Sequence, residues 1–99
     1  MSKLIALYKQ PPDRAAFDKA YVDTHLPLLE KVPGLLKTEI TRFTRTLMGD
    51  GYYLMAQMYF AEEASMKAAM KSPEMAAAGE KLDSFAKGMY TLMFGEEQD

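Results

Sequence analysis

The chain has 99 residues, which is the length of one domain that can bury a usable hydrophobic core. Its net charge of −2 and its scattered basic residues exclude the concentrated positive charge that nucleic-acid binding requires. It contains no cysteine, which excludes disulfides, thiolate catalysis and thiolate metal sites. No apolar run approaches the ~20 residues of a membrane span. We therefore expect a cytoplasmic protein without nucleic-acid or membrane partners.

The residue pattern predicts the element order strand, helix, strand, strand, helix, strand. Prolines and glycines separate the elements, and Asp13 and Ser72 have the character of helix N-caps. The predicted strands are 3–9, 36–47, 52–60 and 89–94, with a hairpin turn at 48–51. The predicted helices run from Asp13 to the 32–34 turn, over 61–71, and from Ser72 to Gly88, and 96–99 is a frayed tail.

This order is the split βαβ pattern of an α+β, ferredoxin-like βαββαβ fold with a four-stranded antiparallel sheet, built as a single domain over 1–99. Both helical regions are expected on one face of the sheet. The strand 52–60 is apolar on both of its faces, whereas a solvated sheet face alternates apolar with polar residues. A second copy of the chain is the economical cover for the other face, which predicts a homodimer that packs sheet against sheet.

The only histidine, His25, lies two residues before Pro27, inside the first predicted helix. A proline in a helix interior removes one backbone donor and costs roughly 3 kcal/mol. Because Pro27 cannot donate to the carbonyl of Asp23, we expect a distorted backbone beside His25. A histidine can exchange a proton near neutral pH, so His25 is a candidate general acid or base. The alternative is a structural imidazole that bonds to a carbonyl freed at the distortion.

The N-terminal third contains a Phe, a Tyr, a His-x-Pro and a following Pro-Gly at a recognisable spacing. These residues and their neighbours are Tyr8 to Gln10, Pro12, Asp13, Phe17, Tyr21, His25-Leu26-Pro27-Leu28 and Pro33-Gly34-Leu35. In this spacing the N-terminal third resembles the EthD-like family, and the resemblance extends over the whole chain in element order.

The resemblance implies a dimeric α+β barrel, since the EthD-like family is similar to proteins of that superfamily. The family is associated with gene clusters for ethyl tert-butyl ether degradation. Relatives in the superfamily include cofactor-free cyclases, dehydratases, lactone isomerases, small monooxygenases and haem-degrading enzymes. This is an analogy of fold, which does not by itself assign an activity. His25 and the aromatic residues Tyr8, Phe17 and Tyr21 match the family positions.

We predict a cofactor-independent enzyme that acts on a small apolar oxygenated compound by cyclisation, dehydration, isomerisation or oxidation. The alternative is a non-catalytic ligand-binding or accessory protein of an oxidative pathway such as ethyl tert-butyl ether breakdown. A third interpretation is that the sheet face only makes a dimer and leaves no cavity. The predicted catalytic residues are His25 and Tyr8, and the predicted substrate-binding residues are Phe17, Tyr21, Tyr53, Met55 and Tyr59.

Three further features of the composition leave alternatives open. Nine methionines fit an adaptable apolar cavity or a soft core equally well. One histidine and no cysteine leave no metal-ligand set, so no metal and no cofactor are predicted; haem ligation by His25 is a minor alternative that the superfamily suggests. Arg42 and Arg45 could reach a substrate carboxylate or phenolate, or could be solvated charges at the edge of a strand.

Overall fold

Four antiparallel strands form one sheet, and helices cover one of its faces. The computed structural model describes residues 1–98. The ferredoxin-like βαββαβ fold predicted from the sequence is confirmed, with the sheet order β2-β3-β1-β4. The strands are β1 (Ser2–Lys9), β2 (Lys37–Arg42), β3 (Tyr52–Phe60) and β4 (Tyr90–Glu96). The helices are α1 (Arg14–Ala20), a π-helical turn (Tyr21–His25), α2 (Leu26–Leu29), α3 (Glu63–Met70) and α4 (Pro73–Ala86).

The predicted starts of the first and last helices, at Asp13 and Ser72, are confirmed by their capping interactions. The Asp13 side chain accepts a hydrogen bond from the backbone N–H of Ala16 at 3.1 Å, which satisfies a free donor at the start of α1. Ser72 does the same for the N–H of Met75, also at 3.1 Å, with a proline at the first position of α4. Gly88 follows α4 with a φ of +79°, a conformation that L side chains disfavour.

The second strand is shorter than predicted. It ends at Arg42, and the chain then leaves the sheet after the N–H of Phe43 donates to the carbonyl of Tyr53 at 2.9 Å. The prediction of a strand over 36–47 was wrong at its C-terminal end. A β-branched composition shows only that residues suit a pleated surface, and in the observed register β3 starts too late to pair with residues 45–47. The predicted turn at 48–51 is therefore part of a longer loop, 43–51.

The C-terminal strand is longer than predicted. Residue Glu96, expected in a frayed tail, pairs with Ser2 in the ladder between β1 and β4. The next residue, Glu97, donates its backbone N–H to the carbonyl of Met1 at 3.0 Å. Asp99, the last residue of the predicted tail, lies outside the described residues.

The two faces of the sheet differ in their surroundings. On the face toward the helices, Leu4, Ala6 and Tyr8 of β1 are buried and lie opposite buried residues of β3. On the other face, Ile5 and Leu7 are only partly buried, because no element of the described chain covers them. The apolar core therefore occupies one side of the sheet, and it positions the cavity described below.

A β-bulge interrupts the pairing of β1 with β3. Tyr8 lies opposite Leu54, whereas the next residue, Lys9, lies opposite Tyr52, so Tyr53 is the additional residue on β3. The bulge turns the ring of Tyr53 toward α1, where its centroid lies 5.7 Å from that of Phe17 in an edge-to-face arrangement. Tyr53 therefore leaves the face of the sheet that simple alternation along β3 would assign to it.

The longest helix of the part of the chain that the structure describes is α4, with 14 residues. Among residues 1–98, none of the helices combines the length and the apolar character needed to cross a bilayer.

Replacing the N-cap of α1 tests how strongly this helix depends on its capping bond. We expect Asp13→Ala to lower the free energy of unfolding by about 1 kcal/mol, because the N–H of Ala16 loses its acceptor. The exposed loop residue Asp50 provides a control with the same change of charge, and Asp50→Ala should leave stability nearly unchanged. Urea denaturation checks both, and equal effects of the two variants would contradict the capping role.

Candidate functional site

The backbone around His25 is π-helical. The N–H of Leu26 donates to the carbonyl of Tyr21, five residues earlier, in place of the usual bond over four residues. Pro27 follows in the first turn of α2, where its missing N–H is least costly. The distortion that Pro27 predicts beside His25 is thereby confirmed.

The π-helical turn aims the His25 ring at α4. The ring nitrogen Nδ1 lies 3.1 Å from the carbonyl oxygen of Ala78, and His25 is only 4% exposed. A carbonyl oxygen can only accept a hydrogen bond, so Nδ1 carries the proton in this contact. In the neutral imidazole, Nε2 is then the nitrogen with a free lone pair. The contact with Ala78 therefore assigns the tautomer, and it makes Nε2 the basic atom.

Burial lowers the pKa of His25 below its ordinary value of 6.5, because the surrounding protein solvates the imidazolium less well than water does. The hydrogen bond to the Ala78 carbonyl acts in the opposite direction and only reduces this effect. His25 is accordingly neutral at pH 7. A neutral imidazole is the form that can accept a proton from a bound molecule.

An apolar cavity of about 230 Å³ lies between the helix-covered face of the sheet and α4, and His25 is part of its wall. Leu92 of β4 belongs to its lining and remains 48% exposed. Most of the wall is aliphatic or thioether. The lining residues are Leu4, Ala6, Tyr8, His25, Leu29, Met58, Met70, Met75, Ala76, Ala78, Gly79, Leu82, Tyr90 and Leu92.

Tyr8 is a second polar residue in this wall. Its ring packs edge-to-face against those of Phe17 and Tyr21, with centroid distances of 5.6 and 5.4 Å. Burial raises the pKa of Tyr8 far above its usual value, and burial also raises the pKa of Tyr21 to about 12. Both phenols are therefore protonated at neutral pH, and Tyr8 can act as a hydrogen-bond donor.

The structure distributes the predicted site residues over four places. Tyr8 and His25 line the same cavity, as the prediction requires. Phe17 and Tyr21 are buried directly behind it: they contact Tyr8, and the ring of Tyr21 lies 5.1 Å from that of His25. Tyr53 lies in a separate cleft beside α1.

Met55 and Tyr59 lie on the opposite face of the sheet from His25. There Tyr59 donates a hydrogen bond to Glu39, which raises the pKa of Tyr59 to about 12, and the ammonium groups of Lys3 and Lys37 lie 5.0 and 4.6 Å from the centre of its ring. The roles of all these residues in substrate binding stay predictions.

The cavity also contains residues that the sequence prediction did not select. Met58, Met70 and Met75 belong to the wall, and the excess of methionine was the available signal for them. Gly79 has no comparable signal, because its position beside Ala78 on the cavity side of α4 depends on packing. A Cβ at Gly79 would meet no atom within 4 Å, so a side chain there has room to occupy the cavity.

The donor set does not point to a metal ion. Within residues 1–98, no three His, Asp or Glu side chains come together in a way that could hold one.

Comparison with known proteins assigns the family. The model of the EthD domain matches residues 9–88. The chain belongs to the EthD family. An uncharacterised 11.0 kDa protein of Rhodococcus erythropolis, from the thcB-thcC intergenic region, is 32% identical over 100 residues, which covers 99% of this chain and 96% of that protein.

Two solved structures place this EthD-family chain in its fold. The crystal structure of an EthD-family protein from Bacillus halodurans is 45% identical, covers 99% of both chains and superposes with a TM-score of 0.93. A dimeric protein of unknown function with a ferredoxin-like fold, from Bacteroides fragilis, is 20% identical, covers 97% of this chain and 95% of its own, and has a TM-score of 0.68. At that identity the second likeness shows the fold alone.

The lowered pKa of His25 makes the stability of this EthD-family protein depend on pH. Below pH 6.5 the unfolded chain binds a proton at His25 that the folded protein resists, so the free energy of unfolding should decrease as pH falls from 7 toward 5. His25 is the only histidine, so His25→Asn, whose amide can still donate to Ala78, should show a smaller decrease. Urea denaturation at several pH values measures the free energy of unfolding of both proteins. The same dependence on pH in the two proteins would show that folding does not lower the pKa of His25.

Proposed function

We propose that the cavity between the sheet and α4 binds a small apolar oxygenated compound, and that His25 acts on it as a general base. The observation that carries this proposal is the bond between Nδ1 and the Ala78 carbonyl, since it leaves a basic Nε2 on a neutral ring in an apolar wall. Tyr8, protonated and in the same wall, is proposed as the donor to an oxygen of the compound.

The proposed reaction step is the transfer of a proton from carbon to nitrogen. A C–H bond beside a carbonyl breaks, the proton goes to Nε2 of His25, and the electron pair moves to the carbonyl oxygen as an enolate. A hydrogen bond from Tyr8 stabilises the charge that develops on that oxygen. Cyclisation, dehydration and isomerisation can each begin with this step, and none of them needs a cofactor for it. An oxidation would additionally require an electron acceptor.

The size and the walls of the cavity define the class of compound. Its volume of about 230 Å³ is below the roughly 300–1,000 Å³ of sites for drug-sized ligands. A compound of one or two rings therefore suits it better than a larger one. The methionines of the wall can adjust to irregular apolar shapes, and His25 and Tyr8 supply the only titratable contacts besides Tyr90.

A second candidate function is ligand binding without turnover, as in an accessory protein of a degradation pathway. The same cavity supports it, because apolar walls bind a ligand whether or not a base is present. In that case His25 is a buried structural imidazole that ties the π-helical turn to α4. The two functions differ only in whether Nε2 accepts a proton from the bound compound.

The probe for this proposal is 2-tetralone, a two-ring ketone with acidic C–H bonds beside its carbonyl. In D2O, we expect the protein to accelerate exchange of these hydrogens for deuterium, measured by proton NMR, and His25→Asn to reduce the acceleration by about a hundredfold. The His25→Asn variant should still bind the ketone, as seen from shifts of the Gly79 and Leu92 amide signals.

A cavity-filling variant provides the matched control. Gly79→Leu adds a side chain where the structure has open space and leaves the His25 bond to Ala78 in place, so it should lose both binding and exchange while remaining folded. Binding without accelerated exchange would favour the accessory function. Exchange that survives His25→Asn, or binding that survives Gly79→Leu, would contradict the proposed site.

We also propose that the chain forms a homodimer through the sheet face that carries no helices. Ile5, Leu7, Met55 and Met93 form an apolar patch on this face, and Met93 is 41% exposed. An apolar sheet face is stable when a second layer covers it, and a second copy supplies such a layer. The Bacteroides fragilis protein of the same fold is dimeric, which supports a homodimer without indicating the face that forms it.

A charge placed in the apolar patch should separate the two copies. We expect the protein to sediment as a dimer and Met93→Lys to sediment as a monomer, because burying the ammonium group against a second sheet is costly. Val22→Lys introduces the same charge at a 55% exposed position on the π-helical turn and should remain dimeric. Sedimentation velocity checks this, and a monomeric parent protein or a dimeric Met93→Lys would overturn the proposal.

A further inference from the structure

A second cleft, separate from the His25 cavity, lies between the start of α1 and the loop 43–51. It has a volume of about 470 Å³, and none of its lining residues belongs to the His25 cavity. The sequence contains three arginines, Arg14, Arg42 and Arg45, and all of them line this cleft, whereas no lysine does. Because Arg14 is distant in sequence from the other two, the fold itself brings the three guanidinium groups together.

The positive charge in the cleft is only partly neutralised. Arg42 forms an ion pair with Asp18 at 3.2 Å, and the hydroxyl of Tyr53 donates to the same carboxylate at 2.8 Å. Arg14 donates to the neutral side chain of Gln10 at 3.4 Å. Within residues 1–98, neither Arg14 nor Arg45 forms an ion pair with a carboxylate. The cleft therefore has an excess of positive charge in a chain whose net charge is −2.

Flat aromatic surface adjoins the guanidinium groups. Arg14 and Arg42 lie over the ring of Tyr53, with 5.9 and 5.6 Å between Cζ and the ring centre. Phe43 and Tyr52 complete the aromatic part of the lining. The bulge in β3 is what turns Tyr53 toward α1 and away from the sheet face, so the aromatic surface depends on this irregularity.

We propose that this cleft binds a small organic anion in which a carboxylate is attached to a flat ring. A guanidinium group presents a planar fork of donors that matches the two oxygens of a carboxylate, and Arg14 and Arg45 have no carboxylate partner of their own in the described chain. The ring of the anion packs on the aromatic wall. The site is independent of the proposed function of His25, and it gives the molecule a second binding site of opposite chemical character.

The probe is 1-naphthoate, with neutral 1-naphthamide as the matched ligand and proton–nitrogen NMR of the backbone and arginine side chains as the readout. We expect naphthoate to shift the signals of Arg14, Arg45 and Phe43, and naphthamide to bind about tenfold more weakly or not at all, because it has no charge to pair with the guanidinium groups. As naphthoate is added, the signals of Gly79 and Leu92 in the His25 cavity should not shift at lower concentrations than the signals of the cleft.

Variants that remove one positive charge test which residues bind naphthoate. Arg45→Gln and Arg14→Gln should each weaken naphthoate binding about tenfold, and Arg45→Lys should restore it only in part, since lysine lacks the planar fork. Lys81→Gln on α4 removes the same charge at a residue that does not line the cleft, and it should change affinity less than twofold.

Several results would overturn the proposal. Equal binding of naphthoate and naphthamide would show that the charge of the ligand does not contribute to binding. Equal effects of Arg45→Gln and Lys81→Gln would show that naphthoate is attracted to the positive charges of the protein in general and does not bind at this cleft. First shifts at Gly79 and Leu92 would place naphthoate in the His25 cavity, and no shifts at millimolar naphthoate would leave the three arginines as solvated charges.

Discussion

Because Pro27 has no backbone N–H, the helix before it cannot continue its regular hydrogen bonding, and the turn Tyr21–His25 adopts the π-helical arrangement instead. The wider turn directs His25 toward α4, where Nδ1 meets the carbonyl of Ala78. That bond connects the π-helical turn to α4 in the wall of the cavity, and it selects the tautomer of the ring. Pro27, which removes one helical hydrogen bond, thus leads to the buried polar contact between His25 and Ala78.

The two faces of the sheet have different surroundings. On the helix side, Ala6 of β1 and Ala78 and Gly79 of α4 line the cavity, and these small residues leave space that the larger residues around them do not fill. On the other side, the apolar patch around Ile5 and Met93 has no cover within the described chain. The inner face therefore supports a proposed binding site, and the outer face supports a proposed contact between copies.

Electrostatics distinguishes the two proposed sites of the molecule. Burial keeps His25 and Tyr8 uncharged, which suits a cavity that takes an apolar compound and moves one proton. In the second cleft, Arg14 and Arg45 line the wall together with aromatic residues, and neither pairs with a carboxylate of the described chain. The β-bulge at Tyr53 contributes to this separation, since it places a tyrosine between the cleft and the core.

The element order, the helix caps at Asp13 and Ser72, the family and the distortion beside His25 all follow from the sequence, because each depends on neighbouring residues and their spacing. The sequence also identifies Tyr8 and His25 as a candidate pair, through their positions in the family pattern. It could not show that Met55 and Tyr59 lie on the face opposite His25, since a shift of one residue in register exchanges the two faces of a strand. It also could not show the bulge that turns the ring of Tyr53 toward α1. Gly79, Ala78 and the convergence of the three arginines depend on contacts between distant segments. Only the tertiary structure determines these positions. Packing and strand register set which distant segments come into contact, and the local preferences of the residues do not.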